Sequence, residues 1–173
     1  MWRTPVWAEL LQLVPVITLA FPIIARGEVA LSSMSMAFGV STALAVAIIG
    51  GLWWRGFVLN PVLVGTAIWL AAGAVGFGLP VAPLASWMAE TQAFGLFLAA
   101  LGVGVVATLR GRGGYIGAAH PEASWVRSRS LLLLAVTLLA VAWAWLFRHD
   151  VRLGGGLPFI LVNVTRRVLI ARG

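Results

Sequence analysis

Side chains able to bind metals, react with substrates or carry protons are scarce in this sequence. Its 173 residues contain five acidic residues, two histidines, twelve basic residues that are all arginine, and no cysteine. Without cysteine, the chain has no thiolate catalysis, disulfide bonds or Cys-ligated metals. His120 and Glu122 resemble half of a metal or acid–base site, but His149 lies beyond a predicted apolar helix. Two histidines therefore cannot meet on one ion, and the sequence predicts no metal site.

The glycine-rich stretch 111–117 could be taken for a phosphate-binding loop. It reads G-R-G-G-Y-I-G, which lacks the Lys-Ser or Lys-Thr of such loops, and no strand precedes it. A Ser–His–Asp triad is not expected either, because Asp150 is the single aspartate. The sequence therefore predicts no catalytic residue, no cofactor and no enzymatic activity. A lipid-modifying enzyme acting at the membrane interface is the alternative that this composition leaves open.

Three polar residues stand inside long apolar runs, where lipid offers no hydrogen-bond partner. Asn60 begins the third apolar segment and Asn163 lies within the last one, so each amide needs a partner inside the protein. Glu9 lies one turn into the first segment, with Gln12 on nearly the same helical face. These residues, Asn60, Asn163 and Glu9, are the candidate polar interior site. The alternative is structural: hydrogen bonds between helices for the amides, and an ion pair with a loop arginine for Glu9.

The composition predicts that most of the chain is surrounded by lipid. Hydrophobic residues make up 61% of it, charged residues 10%, and the mean hydropathy is +1.02. Soluble domains carry about 25% charged residues, so these few charges cannot cover a water-soluble surface. We therefore expect an all-α fold, a polytopic integral membrane helix bundle. The net charge of +7 is better explained by arginines that fix cytoplasmic loops and meet anionic headgroups than by binding of nucleic acid.

Apolar runs of about 20 residues, the length that crosses a bilayer, divide the chain into six predicted transmembrane helices. Pro15 and Pro22 should bend the first helix or break its outer end. The loops are too short for an extramembrane module, so residues 1–173 form one domain, with 110–129 as a cytoplasmic loop. The six helices are predicted at 6–25, 29–54, 57–79, 91–109, 130–147 and 155–172.

The distribution of arginines decides between two topologies for the C-terminal segment. If it crosses the membrane, nine arginines face one side and three, Arg26, Arg148 and Arg152, face the other; if it does not, each side holds six. Arginines mark the cytoplasmic side, so we predict six spans with both termini in the cytoplasm. The alternative is five spans and a C-terminal interfacial amphipathic helix, whose polar residues share one face. The predicted cytoplasmic anchors for anionic lipid are Arg55, Arg110, Arg112, Arg127, Arg129, Arg166, Arg167 and Arg172.

Small residues recur at every fourth position along the second predicted helix. Residues at this spacing share one helix face and let two backbones approach closely, and the fourth helix has a weaker pattern of the same kind. The stripe predicts close packing, either within the bundle or against a partner subunit or a second copy of the chain. Its members are Ser35, Gly39, Ala43, Ala47 and Gly51.

Few buried polar groups, short loops and this stripe together favour a non-enzymatic role. The expected function is that of an accessory, assembly or scaffold subunit of a complex in a bacterial inner membrane. The bias toward arginine, alanine and glycine is typical of a GC-rich bacterial genome. The alternative is a small membrane transporter or channel, working as a dimer, with a polar path near Asn60 and Asn163.

Overall fold

The computed structural model describes residues 6–26, 31–79, 81–118 and 120–171, and all regular structure within these ranges is helical. The predicted all-α class is therefore confirmed. Within these ranges, eight α-helices are joined by loops and by one π-helical turn. Their bounds are Val6–Leu11 (α1), Val14–Arg26 (α2), Leu31–Trp54 (α3), Pro61–Gly78 (α4), Ala82–Thr91 (α5), Ala93–Arg110 (α6), Ala123–Leu146 (α7), Val151–Gly156 (the π-helical turn) and Leu157–Ala171 (α8).

The predicted first helix, residues 6–25, is two short helices, α1 and α2. The Leu13 N–H donates to the Leu10 carbonyl at 3.0 Å across the break between them. Pro15 explains this position, because it offers no N–H to the Leu11 carbonyl and its ring collides with the preceding turn. The sequence predicts a bend or a broken outer end, whereas the structure breaks near the start and makes α1 a separate element.

The long helices pack antiparallel to one another in chain order: α3 on α4, α4 on α6, α6 on α7, and α7 on α8. Glycines allow the closest approaches. Gly65 of α4 packs directly on the backbone of Ala100 in α6, and Gly95 of α6 packs on the Trp69 ring. In lipid, such small residues replace the hydrophobic effect as the source of close helix association.

The segment before α6 is helical where the sequence predicts a loop. Its residues form α5, and Trp87 packs edge-on against Trp69 of α4, with 5.5 Å between ring centroids. Gln92 separates α5 from α6 with φ 43° and ψ −122°. A non-glycine residue adopts such a conformation at a cost of about 1–3 kcal/mol, so this position marks a sharp break. As a result, α6 begins at Ala93, later than predicted.

The C-terminal segment runs antiparallel to α7 along most of its length. The Trp143 indole N–H donates to the Leu153 carbonyl at 2.9 Å near one end, and the Arg129 guanidinium donates to the Leu169 carbonyl near the other. Residues 129 to 143 of α7 span about 21 Å. A helix lying in the membrane interface would cross α7 near one end only, so this course is typical of a spanning helix.

Among the described residues, five helical segments are long and apolar enough to cross a membrane, and the C-terminal segment is one of them. The N-terminal apolar stretch, Trp7–Ala20, is shorter. The predicted count of six therefore depends on the N-terminal segment and stays a prediction. The five segments are Met34–Trp54, Pro61–Gly78, Ala93–Arg110, Ala123–Leu146 and Arg152–Ala171.

One end of the bundle collects most of the arginines. Gly117, in the loop after α6, lies against the start of α4, because a Cβ on it would stand 2.8 Å from the Pro61 ring. The end of α6, the start of α7 and the end of α8 meet there, and we call this the arginine-rich end. Arg172 lies outside the described residues. The predicted anchors placed at this end are Arg55, Arg110, Arg112, Arg127, Arg129, Arg166 and Arg167.

Gly65 gives a direct test of the contact between α4 and α6. A Cβ at this position would stand 2.4 Å from the Ala100 Cα, so Gly65→Leu must push the two backbones apart. We expect the free energy of unfolding in detergent to fall by about 3 kcal/mol. Gly102→Leu is the matched control, because nothing stands within 4 Å of a Cβ there. Equal stability of the two variants would contradict this helix pairing.

Candidate functional site: a polar cluster at the arginine-rich end

One acidic and two basic side chains meet at the arginine-rich end. Glu9 of α1 lies with Oε1 3.4 Å from Arg166 Nη1 and with Oε2 3.3 Å from Arg167 Nε. Arg166 is 4% exposed, Glu9 19% and Arg167 48%, so the contact with Arg166 is the buried half of the group. The structure thus pairs Glu9 with arginine, but both partners come from α8 and neither comes from a loop.

A backbone carbonyl is the second hydrogen-bond partner of the Arg166 guanidinium. Its Nε donates to the Ile116 carbonyl at 2.9 Å. A buried guanidinium without partners would cost several kcal/mol, because the interior does not solvate it as water does. The Glu9 carboxylate and the Ile116 carbonyl together offset this cost. They also tie α8 to α1 and to the loop that precedes α7.

The two asparagines predicted at a polar interior site contact each other. Asn60 Nδ2 donates to Asn163 Oδ1 at 3.4 Å, and Asn163 Nδ2 donates to the Phe159 carbonyl at 2.9 Å. Gln12, just after α1, completes the group, since its Oε1 accepts the Asn60 backbone N–H at 3.0 Å. Side-chain hydrogen bonds therefore join the end of α1 to α4, and α4 to α8, beside the ion pair.

Asn60 also has a local reason to stand at this position. Its Oδ1 accepts the Val62 N–H at 3.1 Å as the N-cap of α4, and Pro61 follows as the first helical residue. Asparagine is favoured at N-caps, and proline with its fixed φ at the position after them. Capping uses Oδ1, which leaves Nδ2 to bond Asn163. A helix-start signal and a link between helices are thus combined in one side chain.

The glycine-rich stretch 111–117 turns back into the bundle, whereas the sequence predicts only that it belongs to a cytoplasmic loop, residues 110–129. Tyr115 and Ile116 are fully buried. The Tyr115 N–H donates to Ser130 Oγ at 2.9 Å, and its hydroxyl lies 3.1 Å from Thr137 Oγ1. Burial raises the pKa of Tyr115 to about 12, so the hydroxyl stays protonated at physiological pH. This buried turn is what presents the Ile116 carbonyl to α8.

Two glycines make this turn possible. Gly114 and Gly117 have φ of +57° and +61°, a region that glycine adopts without steric cost. A Cβ on Gly117 would also stand 2.9 Å from the Leu59 carbonyl oxygen. The sequence signal that could have predicted the turn is therefore a pair of glycines, Gly114 and Gly117, on either side of the apolar residues Tyr115 and Ile116.

We call the joined side chains the polar cluster. Each of them has a partner within the chain, so in this arrangement they link elements together. A cavity of about 10 Å³ lies beside Gln12, between α2, α3 and α4, and it has room for about one water molecule. The members of the polar cluster are Glu9, Gln12, Asn60, Asn163, Arg166 and Arg167.

The small-residue stripe lies on the outer side of α3. Gly39, Ala43, Ala47 and Gly51 are exposed, and nothing stands within 4 Å of a Cβ on either glycine. Ser35 is half-buried. Ser35 lies near Gly78 of α4, but the four exposed members are not used for packing within the described part of the bundle, because a different side of α3 packs on α4. Packing against another chain stays a prediction.

The other residues singled out from the sequence lie outside the polar cluster. Arg129 lies over the Trp125 ring, 4.3 Å from its centroid. His120 Nδ1 accepts the Glu122 backbone N–H at 3.1 Å. Within the described ranges, no three His, Asp or Glu side chains are grouped so that they could hold a metal ion. The anchors that are exposed are Arg55, Arg110, Arg112, Arg127 and Arg167.

Comparison with protein-family models, with curated proteins and with solved structures gives no match to this chain. The class that the fold defines is an all-helical bundle, with five helices among the described residues that are long and apolar enough to span a membrane. The function is therefore proposed from the placement of its own residues.

Arg166→Gln should destabilise the bundle far more than Arg167→Gln. The first substitution leaves Glu9 and the Ile116 carbonyl without their buried partner, and breaking a buried pair costs about 3–5 kcal/mol. The second removes a half-exposed partner, whose contribution is screened by solvent. Thermal unfolding of the two purified variants in the same detergent measures the difference. An equal loss in both would show that the burial of Arg166 does not organise this end.

Proposed function

We propose that this chain is a small integral membrane protein that acts without catalysis, as an accessory, assembly or scaffold subunit of a complex in a bacterial inner membrane. The observation that carries the proposal is the exposed small-residue stripe on α3. Four of its five members are exposed in the part of the chain that the structure describes. The stripe is therefore a surface at which a helix of another chain can pack.

Helices in lipid associate through close van der Waals contact, and glycine or alanine at the contact lets the backbones approach. The protein uses this principle between α4 and α6, where Gly65 lies on Ala100. On α3, Gly39 and Gly51 have open space in front of them, so the same type of contact is open to a partner. The polar cluster, in contrast, is engaged within the chain. Both observations support a function that depends on helix packing.

We further propose that the arginine-rich end faces the cytoplasm. Arginines close to the ends of spans are retained on the cytoplasmic side and meet anionic headgroups there. The opposite end carries Arg148 and Arg152 after α7. Because α1 and the last turns of α8 lie at the arginine-rich end, this orientation places both termini in the cytoplasm.

Reporter fusions test this orientation. A fluorescent protein fused before Met1 and another fused after Gly173 should both fluoresce, because such reporters mature in the cytoplasm. Alkaline phosphatase fused at His149 should be active, because this enzyme folds only outside the cytoplasm and His149 lies at the opposite end of the bundle. Opposite signals at the two termini would contradict the six-span topology and would favour an odd number of spans.

Gly39→Leu and Gly51→Leu should weaken assembly without unfolding the chain. A Cβ at either position has no atom of the described residues within 4 Å, so we expect the added side chains to fit the free chain but to hold a partner helix away from α3. We expect recovery of a stoichiometric partner, after purification in mild detergent, to fall by roughly tenfold, a loss of about 1.4 kcal/mol. Gly102→Leu, at an exposed and open position of α6, is the control. Recovery of the native chain only as a homo-oligomer would contradict an accessory role.

A small transporter or channel is the second candidate, and the contact between Asn60 and Asn163 favours it. Two uncharged amides meet there between α4 and α8, and polar groups at such a position can line a path through a bundle. Flux of ions or small solutes through the reconstituted protein distinguishes the candidates. Reproducible flux would favour this one, and copurification of a partner would favour the first.

A further inference from the structure

Two guanidinium groups converge on a single carboxylate in the polar cluster. Arg166 and Arg167 are adjacent on α8, and they contact different oxygens of Glu9 at 3.4 and 3.3 Å. Two positive charges thus face one negative charge, which leaves an excess of one positive charge. Paired guanidiniums of this kind bind carboxylate and phosphate ligands, because each anionic oxygen receives a charge-assisted hydrogen bond.

The buried arginine is held in place by the bundle as well as by Glu9. The Ile116 carbonyl fixes Arg166 Nε at 2.9 Å. Ile116 itself belongs to the buried turn, where its N–H lies 3.4 Å from Ser130 Oγ on α7. The groups that would bind an anion are therefore positioned by α7, α8 and the turn between α6 and α7. Preorganisation of this kind lowers the entropic cost of binding a ligand.

The carboxylate lies on the shortest α-helix that the structure describes. Glu9 lies on α1, a helix of six residues that ends at Leu11. A helix this short is not stable by itself, so its position depends on its contacts, among them Glu9 with α8 and the Trp7 ring with Phe57 in the loop before α4. Glu9 is 19% exposed and Arg167 is 48% exposed, so the ion pair is open on the side of Arg167.

We propose that Arg166 and Arg167 form an anion-binding site for a carboxylate or a phosphate, and that Glu9 occupies it as a ligand tethered within the chain. An anion that takes the place of Glu9 releases α1 from α8. The tether gives Glu9 an effective concentration of about millimolar or higher. A free anion therefore competes weakly in the native chain, and binding is strongest when Glu9 is absent. This site is independent of the scaffold role proposed above.

Chemical rescue of Glu9→Ala tests this site. The substitution leaves two guanidiniums without their carboxylate and leaves space for a small anion, so the midpoint of thermal unfolding should fall by roughly 10 °C. Acetate or inorganic phosphate should restore a large part of this loss, while chloride at the same ionic strength should not. Glu90→Ala, which removes an exposed acid of α5, is the control and should respond equally to the three salts.

A second variant covers the case in which Glu9→Ala does not fold. Glu9→Gln keeps the shape of the side chain and removes its charge, so phosphate should raise its unfolding midpoint above the value in chloride. The same variant combined with Arg166→Gln should show no such difference, because the buried guanidinium is gone. Equal midpoints in phosphate, acetate and chloride for the Glu9 variants would overturn the proposal.

Reconstitution of Glu9→Ala identifies the source of the phosphate. Phosphatidylcholine nanodiscs with added inorganic phosphate test the free ion, and phosphatidylglycerol nanodiscs without it test a lipid headgroup. Stabilisation in either setting, relative to Glu90→Ala, supports the anion site and identifies its ligand. Stabilisation in neither setting, with acetate also without effect, overturns it.

Discussion

A buried guanidinium is the constraint on which the arginine-rich end of this protein depends. Arg166 lies inside the bundle, where an unpaired charge costs several kcal/mol, and its partners come from two distant parts of the chain. Glu9 is near the N-terminus, and Ile116 is in the turn between α6 and α7. One side chain on the last helix thus fixes the first helix and the buried turn. The buried turn also lies against the start of α4, through Gly117.

The helices on one side of the molecule share an apolar core, whereas α3 on the other side exposes most of its small-residue stripe. Helices α4, α6, α7 and α8 share one apolar core with the turn around Tyr115. In contrast, α3 packs on α4 and on α2, and four of the five residues of its stripe are exposed. Lipid provides no hydrophobic force between helices, so polar contacts and close approach must supply specificity. The polar cluster provides polar contacts inside the chain, and in the function proposed above the stripe on α3 provides close approach to a partner.

Length and apolarity are enough to predict that α4 and α7 exist as spans, because the bilayer sets both. They place the start of α7 at residue 130, whereas the helix begins at Ala123, because residues 123–129 include polar residues and two arginines that hydropathy assigns to a loop. Asn60, Asn163 and Glu9 could also be singled out, since an amide or carboxylate within an apolar run requires a partner inside the protein. Their partners could not be predicted, because the pairing of Glu9 with Arg166 joins residues 157 positions apart and depends on tertiary packing. The burial of Tyr115 was missed because a glycine-rich stretch between arginines has the composition of a surface loop. Hydropathy likewise treats the proline-containing segment of α5 as a loop, although proline suits the first turn of a helix.

The most direct measurement is the coupling free energy between Glu9 and Arg166. Glu9→Gln, Arg166→Gln and the double variant form a cycle of unfolding free energies, which isolates the interaction of the two side chains from their separate effects. If the buried pair organises this end, each single variant loses nearly as much stability as the double variant, with a coupling of about 2 kcal/mol or more. A coupling below about 0.5 kcal/mol, the range of distant and independent sites, would contradict the central role of Arg166.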